Sequence, residues 1–252
     1  MEVRVLGASG SDMPGRHLPA FLVDGTVLLD AGTIGGVLTE KEQRKIRAVL
    51  LTHPHLDHLR ALAFFGDNLA LRGRTCAVSV RALPPVLRAL ATNILNDRVW
   101  PDLTEKPAHP VFSLDAVRTG RPFEVGGYRV WAHRVDHAVP AAGYVLEDRR
   151  GRRLLYTGDT GPTETLWEET ARGIHCAIIE CSLPNRMRKL ALRAGHLTPA
   201  LLGEEIRKMH RVPEQILISH VKPQYHDAVA RELRFLRMKN LHVLRDGEVF
   251  EV

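Results

Sequence analysis

The hydrophobic pattern of this chain consists mainly of short segments that either alternate apolar and polar residues or are continuously apolar, as is typical of β-strands. Turn residues separate these segments, and Asp246-Gly247 predicts a terminal hairpin. The pattern predicts strands at residues 2–6, 20–23, 27–30, 48–52, 76–80, 128–133, 143–147, 153–157, 176–181 and 215–219.

Helical signals follow the strands in both halves of the chain. Thr39-Glu40-Lys41-Glu42 matches a capping box, and Thr198-Pro199 places an N-cap residue before a proline at the first helical position. Strands that come first and helices that follow them predict an α/β (α+β) fold in which helices cover two sheets. Further helices are predicted at residues 59–65, 86–95, 163–172 and 224–238.

Residues 96–122 show no strong helical or strand period. A stretch of this length without clear structure inside a compact domain is more often functional than inert. We therefore expect it to border the active site, and whether it forms a lid stays open.

The length and composition favour one large globular domain over residues 1–252, with 44% hydrophobic and 25% charged residues. No apolar run approaches the roughly 18 residues of a membrane span, and the first residues lack the apolar core of a signal peptide. We expect a cytoplasmic protein without a membrane partner. Cys76, Cys176 and Cys181 are interpreted as core thiols, and the odd spacing of the last two predicts opposite faces of a strand.

The chain is basic, with a formal charge of +6 and a pI near 9.5. This charge favours anionic partners, phosphates in particular. An arginine-rich solvated surface explains the same charge equally well, and both readings stay open. Arg186, Arg188 and Lys189 offer a phosphate site, although a solvated helix face is the preferred interpretation.

Four potential metal ligands lie within six residues at the end of a predicted buried strand: His53, His55, Asp57 and His58. In an extended segment His53 and His55 point to the same side and can bind one ion. Asp57 and His58 are adjacent, so they can reach a second ion only where the chain turns, which predicts a loop. Two other apolar strands end at Asp159 and His220.

The order of these residues resembles the ligand series of the metallo-β-lactamase superfamily. The likeness rests on His53-x-His55-x-Asp57-His58, an isolated His137 after a strand, Asp159 in Tyr156-Thr157-Gly158-Asp159-Thr160, and His220 after an apolar strand. It implies a four-layer αββα sandwich and two divalent metal ions. The nitrogen and oxygen donors favour Zn²⁺, with Mn²⁺ or Fe²⁺ as alternatives.

The resemblance also implies a role for each ligand. It assigns His53, His55 and His137 to the first ion, and Asp57, His58 and His220 to the second. Asp159 would bridge both ions, and Asp30 would orient the histidine loop through hydrogen bonds.

Within that superfamily the chain is most similar to the class II cyclic-nucleotide phosphodiesterases and their bacterial relatives. Gly195-His196-Leu197-Thr198-Pro199 and Asp30-Ala31-Gly32-Thr33 carry this second likeness. It implies hydrolysis of 3′,5′-cyclic nucleotides to 5′-monophosphates by a metal-bridging hydroxide, and a homodimer. His196 would be the general acid, and Asp57 is the second candidate catalytic residue.

Two alternatives from other functional classes stay open. His196-Leu197-Thr198 also resembles a loop of the RNase Z family of tRNA 3′-processing endonucleases, and the basic charge suits RNA. The 37 positions from Asp159 to His196 are filled by predicted elements and leave no room for that family's long tRNA-gripping arm. The second alternative is a metal-free binding protein on the same scaffold.

Overall fold

The computed structural model describes residues 1–71, 78–104 and 110–252, and the strands of these residues form two seven-stranded sheets. The first sheet contains β1 (Glu2–Gly7), β2 (Ala20–Val23), β3 (Val27–Leu29), β4 (Ala48–Leu50), β5 (Val78–Ala82) and β6 (Phe112–Ala116). The second contains β7 (Phe123–Val125), β8 (Tyr128–Arg134), β9 (Ala142–Glu147), β10 (Arg153–Tyr156), β11 (Cys176–Glu180), β12 (Gln215–Ser219) and β13 (Leu241–Val243). The last strand, β14 (Val249–Glu251), pairs with β1 in the first sheet.

Both sheets change from antiparallel to parallel pairing along the chain. In the first sheet, β1 to β3 are antiparallel and β3 to β6 are parallel. In the second, β7 to β10 are antiparallel and β10 to β13 are parallel. Parallel strands present their carboxyl ends at one edge of a sheet, so the segments that follow β4, β10, β11 and β12 can converge there.

Helices cover the outer faces of the two sheets. They are α1 (Glu40–Gln43), α2 (Leu56–Leu59), α3 (Ala61–Ala70), α4 (Pro84–Asn93), α5 (Arg188–Ala194), α6 (Pro199–Ile206) and α7 (His226–Leu233). Strand side chains alternate between two cores: Leu154 and Tyr156 join the core between the sheets, whereas Leu155 packs with residues of α5, α6 and α7. This layered arrangement confirms the predicted αββα sandwich.

The predicted terminal hairpin at Asp246-Gly247 is wrong, because β13 and β14 belong to different sheets. The chain crosses from one sheet to the other at this turn. The Asp246 carboxylate accepts hydrogen bonds from the backbone amides of Ala8 and His17, at 3.0 and 2.8 Å, and ties the crossing to the first sheet. Long-range pairing with β1 therefore overrides the local turn signal.

Two predicted helices are shorter than their patterns indicate. In the 163–172 segment only Trp167–Arg172 is helical, as a 3₁₀ helix, because the Thr163 amide and the Trp167 indole donate to the buried Glu205 carboxylate. The 224–238 segment contains α7 flanked by 3₁₀ turns and ends at Arg237, whose φ is 53°.

The remaining predictions agree with the structure in part. The 59–65 helix is longer, since α2 and α3 together extend from Leu56 to Ala70. Cys176 and Cys181 are buried in different cores, which confirms their opposite faces. Cys76 lies outside the described residues, as do 105–109 of the 96–122 segment. None of the helices in the described ranges combines the length and hydrophobicity of a membrane span.

Candidate metal centre

The first part of the candidate centre follows β4. Residues 53–55 are extended, and α2 begins at Leu56 with His55 at its N-cap. Asp57 and His58 therefore lie in a helical turn rather than in the loop that the sequence predicted. The helical turn still provides the change of chain direction that two adjacent residues need in order to reach one ion.

The structure brings together a first group of four potential ligands. One donor atom from each of these residues lies within 4.8 Å of the others: His53, His55, His137 and Asp159. His55 Nδ1 is 3.1 Å from His53 Nε2 and 3.2 Å from His137 Nε2. His137 arrives from the loop after β8, so this group joins segments that are distant in the sequence.

A second group shares Asp159 with the first. Its members are Asp57, His58, Asp159 and His220. His220 Nε2 is 3.2 Å from Asp57 Oδ2 and 3.4 Å from Asp159 Oδ2. His58 Nε2 is 3.3 Å from Asp159 Oδ1. The two groups thus contain all seven ligand candidates, and Asp159 faces both.

Asp30 orients the first histidines, as the sequence predicted. Its buried carboxylate accepts hydrogen bonds from the amide and hydroxyl of Thr52, from His58 Nδ1 at 2.7 Å and from the Tyr156 hydroxyl at 2.7 Å. Thr52 Oγ1 donates its proton to Asp30, so it can only accept from His53 Nδ1, 2.9 Å away. Both histidines therefore carry Nδ1–H and turn an Nε2 lone pair towards Asp159.

Hydrogen bonds also fix the ring protons of two histidines that follow strands of the second sheet, His137 and His220. Ser182 Oγ donates to Glu180 Oε2 at 3.1 Å and must accept from His220 Nδ1 at 2.8 Å. His137 Nδ1 donates to the carbonyl of Gly195 at 2.8 Å. His137 and His220 thus also present Nε2 lone pairs to the centre.

The convergence of these lone pairs is the observation that tests the fit of a metal. His58 Nε2 and Asp159 Oδ1 are buried and have no hydrogen-bond partner in the described part of the chain. Buried polar atoms without partners are costly, and a divalent cation would satisfy several of them at once. The nitrogen and oxygen donor set, without a thiolate, fits two divalent ions.

The charges at the centre suit ligands. Burial lowers the pKa of His53 well below its usual range, which keeps the ring neutral. Burial opposes ionisation of Asp159, but His220 and His58 outweigh it and hold the pKa of Asp159 well below its usual range. For Asp57, burial is likewise outweighed by the neighbouring His220, and its pKa is lowered. Neutral histidines and ionised carboxylates are the forms that bind metals. For His58, burial is outweighed by Asp159 and Asp30, which raise its pKa well above the usual range, so a metal ion would displace a proton from His58.

Two residues of the centre have a left-handed backbone conformation. Asp30 has φ of 55° and His220 has φ of 60°, which is unusual for residues other than glycine. His220 is held there by its amide, which donates to the Ala8 carbonyl at 2.7 Å. Such strain persists only where neighbouring contacts fix the backbone, and it is enriched at functional sites.

Glu180 is a site residue that the sequence reasoning missed. It closes β11, is fully buried, and accepts a hydrogen bond from His196 Nδ1 at 2.7 Å. The backbone amide and hydroxyl of Ser182 donate to its other oxygen. The available signal was a glutamate at the end of the apolar run Cys176-Ala177-Ile178-Ile179, because a buried charge requires partners.

His196 lies beside the two ligand groups. Its ring stacks on His220 with centroids 5.4 Å apart, and Nδ1 is 4.0 Å from Asp159 Oδ2. Burial lowers its pKa, but Glu180 more than compensates and the pKa is raised. Glu180, His196 and His220 could also form a third ligand group. Because His196 Nδ1 and Glu180 already satisfy each other, we interpret this set as a positioning network.

A family model described as the beta-lactamase superfamily domain matches residues 26–221, a range that contains all seven ligand candidates, Glu180 and His196. The chain belongs to this superfamily. Its fold implies divalent metal ions, and the two groups around Asp159 could bind them.

Two proteins of known name are similar to the chain in sequence. The chain is similar to 3′,5′-cyclic-nucleotide phosphodiesterase 1 of Saccharomyces cerevisiae, with 25% identity over 239 residues that cover 77% of this chain. The aligned region covers 63% of the yeast enzyme, less than two thirds of its length. The chain is also similar to ribonuclease Z of Pyrobaculum neutrophilum, with 26% identity over 212 residues that cover 72% of this chain and 70% of that protein.

A solved structure supports the same fold. The crystal structure of unliganded yeast PDE1 has a TM-score of 0.82 and 18% identity to this chain, over 98% of each. The protein thus has the metallo-β-lactamase fold and is similar in sequence to a cyclic-nucleotide phosphodiesterase and to ribonuclease Z.

The basic residues of the 186–189 segment do not face the centre as a phosphate site. Arg188 forms an ion pair with Glu204 at 2.9 Å, and the Arg186 guanidinium lies over the Tyr225 ring. Lys189 is exposed. The solvated-face interpretation therefore accounts for these side chains.

Proposed function

We propose that this superfamily member is a metal-dependent phosphodiesterase that opens the 3′,5′-cyclic phosphodiester of a nucleotide to the 5′-monophosphate. The observation that carries the proposal is the Glu180–His196 pair beside the shared Asp159. A histidine with a raised pKa next to a two-ion centre suits a reaction in which a leaving oxygen must be protonated. The yeast relative is named for this activity.

Seven residues would hold the ions. His53, His55 and His137 would bind the first, Asp57, His58 and His220 the second, and Asp159 both. When bound, two divalent ions, which we propose to be Zn²⁺ with Mn²⁺ or Fe²⁺ as alternatives, supply positive charge that activates water and neutralises charge on the phosphoryl oxygens.

His196 would act as the general acid. Its Nδ1–H is engaged by Glu180, so Nε2 is the nitrogen from which the imidazolium can transfer a proton to the leaving 3′-oxygen. The side chain is only 12% exposed, which limits competition from water. Glu180 stabilises the imidazolium and fixes the ring orientation.

Asp57 is the second candidate catalytic residue. Its Oδ2 lies 3.2 Å from His220 Nε2, where both atoms would face the second ion. The side chain is 27% exposed, more than that of His58 or Asp159. Asp57 Oδ1 is therefore the carboxylate oxygen that would accept a proton from the attacking water.

A ribonuclease Z-like activity is the second candidate, supported by the sequence similarity to that family and by the basic charge. The segment between Asp159 and His196 consists of a 3₁₀ helix, β11, a 3₁₀ turn, α5 and short connections. This segment offers no long projecting arm for a folded RNA. A small diester remains the favoured substrate.

The deciding experiment compares products from cyclic AMP, cyclic GMP, a linear dinucleotide and precursor tRNA with the metal-loaded protein. We expect 5′-monophosphates from at least one cyclic nucleotide, and a loss of turnover by about 10²-fold or more in His196→Ala with metal content retained. His210→Ala, which alters an exposed histidine, is the control. Cleavage of precursor tRNA with inert cyclic nucleotides would select the second candidate, and a protein that binds no metal would overturn both.

A further inference from the structure

We propose that the groove between α7 and β13 binds an extended acidic peptide segment of a partner protein, which pairs with the free edge of β13. The groove lies on the second sheet, where β13 is the outermost strand. This interaction is separate from hydrolysis and does not depend on the proposed substrate.

The edge of β13 has unused hydrogen-bonding groups. Ile216 donates to the Asn240 carbonyl at 2.8 Å, and Leu244 donates to the Ile218 carbonyl at 2.9 Å. In a parallel ladder alternate residues bond to the same neighbour, so the amides and carbonyls of Leu241 and Val243 point away from β12. Within the described ranges no hydrogen bond to these four groups occurs outside the β12 ladder. An added strand could use all four.

An apolar floor lies beside this edge. The groove has a volume of about 480 Å³ and is lined by α7, the 3₁₀ turn after it and β13. Its apolar lining residues are Ala230, Leu233, Met238, Leu241 and Val243. A strand that pairs with β13 would direct every second side chain towards this floor.

Cations surround the apolar floor. Five exposed basic residues line the groove or the adjoining groove at the carboxyl end of β13: Arg231, Arg234, Arg237, Lys239 and Arg245. None of the five has an ion-pair partner in the described part of the chain. The single carboxylate among the lining residues, Asp227, is 95% exposed and lies 3.3 Å from His226 Nδ1. The groove therefore has a net positive charge.

The charge and the lining residues together distinguish three possible occupants of the groove. A second copy of the chain would bring the same cations to the edge, and like charges oppose such pairing. Single-stranded RNA suits the charge but uses aromatic side chains for stacking, and the lining residues include no Phe, Tyr or Trp. A peptide that alternates acidic and apolar residues matches the edge, the floor and the cations together.

The test measures binding of a labelled (Glu-Val)₄ peptide to the full chain by fluorescence anisotropy. We expect saturable binding that weakens with salt, and about tenfold or greater weakening in Arg234→Glu/Lys239→Glu. The matched control is Arg149→Glu/Arg150→Glu, which makes the same charge change in an exposed turn far along the sequence. Circular dichroism and thermal unfolding of both variants verify the fold.

Two further probes decide between strand pairing and simple charge attraction. The same peptide is N-methylated at all glutamates or at all valines, and one of the two forms should lose binding by about tenfold because an edge-facing N–H is removed. Full binding by both forms would overturn the proposal. Absence of binding by the unmodified peptide, or tighter groove-dependent binding of a single-stranded RNA octamer, would also overturn it.

Discussion

Asp30 and Glu180 are buried carboxylates of different sheets, and each holds a histidine of the same centre at 2.7 Å through Nδ1. The two bonds have different consequences because His58 and His196 differ in burial and in their distance from Asp159. His58 is fully buried and its Nε2 faces Asp159 at 3.3 Å, as a ligand would. His196 stands beside the ligand groups and is partly exposed. The same carboxylate–histidine bond thus supports metal binding in one case and, in our proposal, proton transfer in the other.

Of three isosteric changes at buried carboxylates, Asp30→Asn should reduce turnover the most. The amide nitrogen of asparagine would face donors from Thr52, His58 or Tyr156, so the histidines would lose their orientation. We expect metal affinity, and with it turnover at limiting metal, to fall about 10–100-fold. Metal titration after chelator treatment measures this loss. Undiminished affinity would contradict the role of Asp30.

Glu180→Gln should leave metal content intact and reduce turnover by about tenfold. Because burial lowers the pKa of His196 while Glu180 raises it, loss of the negative charge should lower that pKa. A general acid works in its protonated form, so the alkaline limb of the kcat profile should move to lower pH. The full pH–rate profile and metal analysis test this. An unmoved alkaline limb would separate Glu180 from proton transfer.

Glu205→Gln should have the smallest effect on turnover. Glu205 is as buried as Glu180 but binds the Thr163 amide, the Trp167 indole and Lys208. We expect the free energy of unfolding to fall by about 1–3 kcal/mol, because a buried donor loses its partner. Urea unfolding measures it, and the folded fraction should retain metal and turnover. A tenfold loss of turnover would extend the catalytic network to Glu205.

Local patterns were sufficient for much of the fold. The Thr39 capping box and the Thr198 N-cap are present as predicted, because each depends on residues within three positions. The terminal hairpin was wrong and the 163–172 helix is shorter than predicted, since partners distant in the sequence compete for their hydrogen bonds.

The sequence by itself determined the ligand candidates, because His53 to His58 are four donors in six residues and Asp159 and His220 end apolar strands. Only the tertiary structure decided which side chains hold and orient the site histidines. Glu180 and His196 are 16 positions apart and belong to different elements, so no local period connects them. Their contact depends on the packing of the Gly195–His196 turn against β11, and the free edge of β13 likewise depends on which strands the sheet places at its centre.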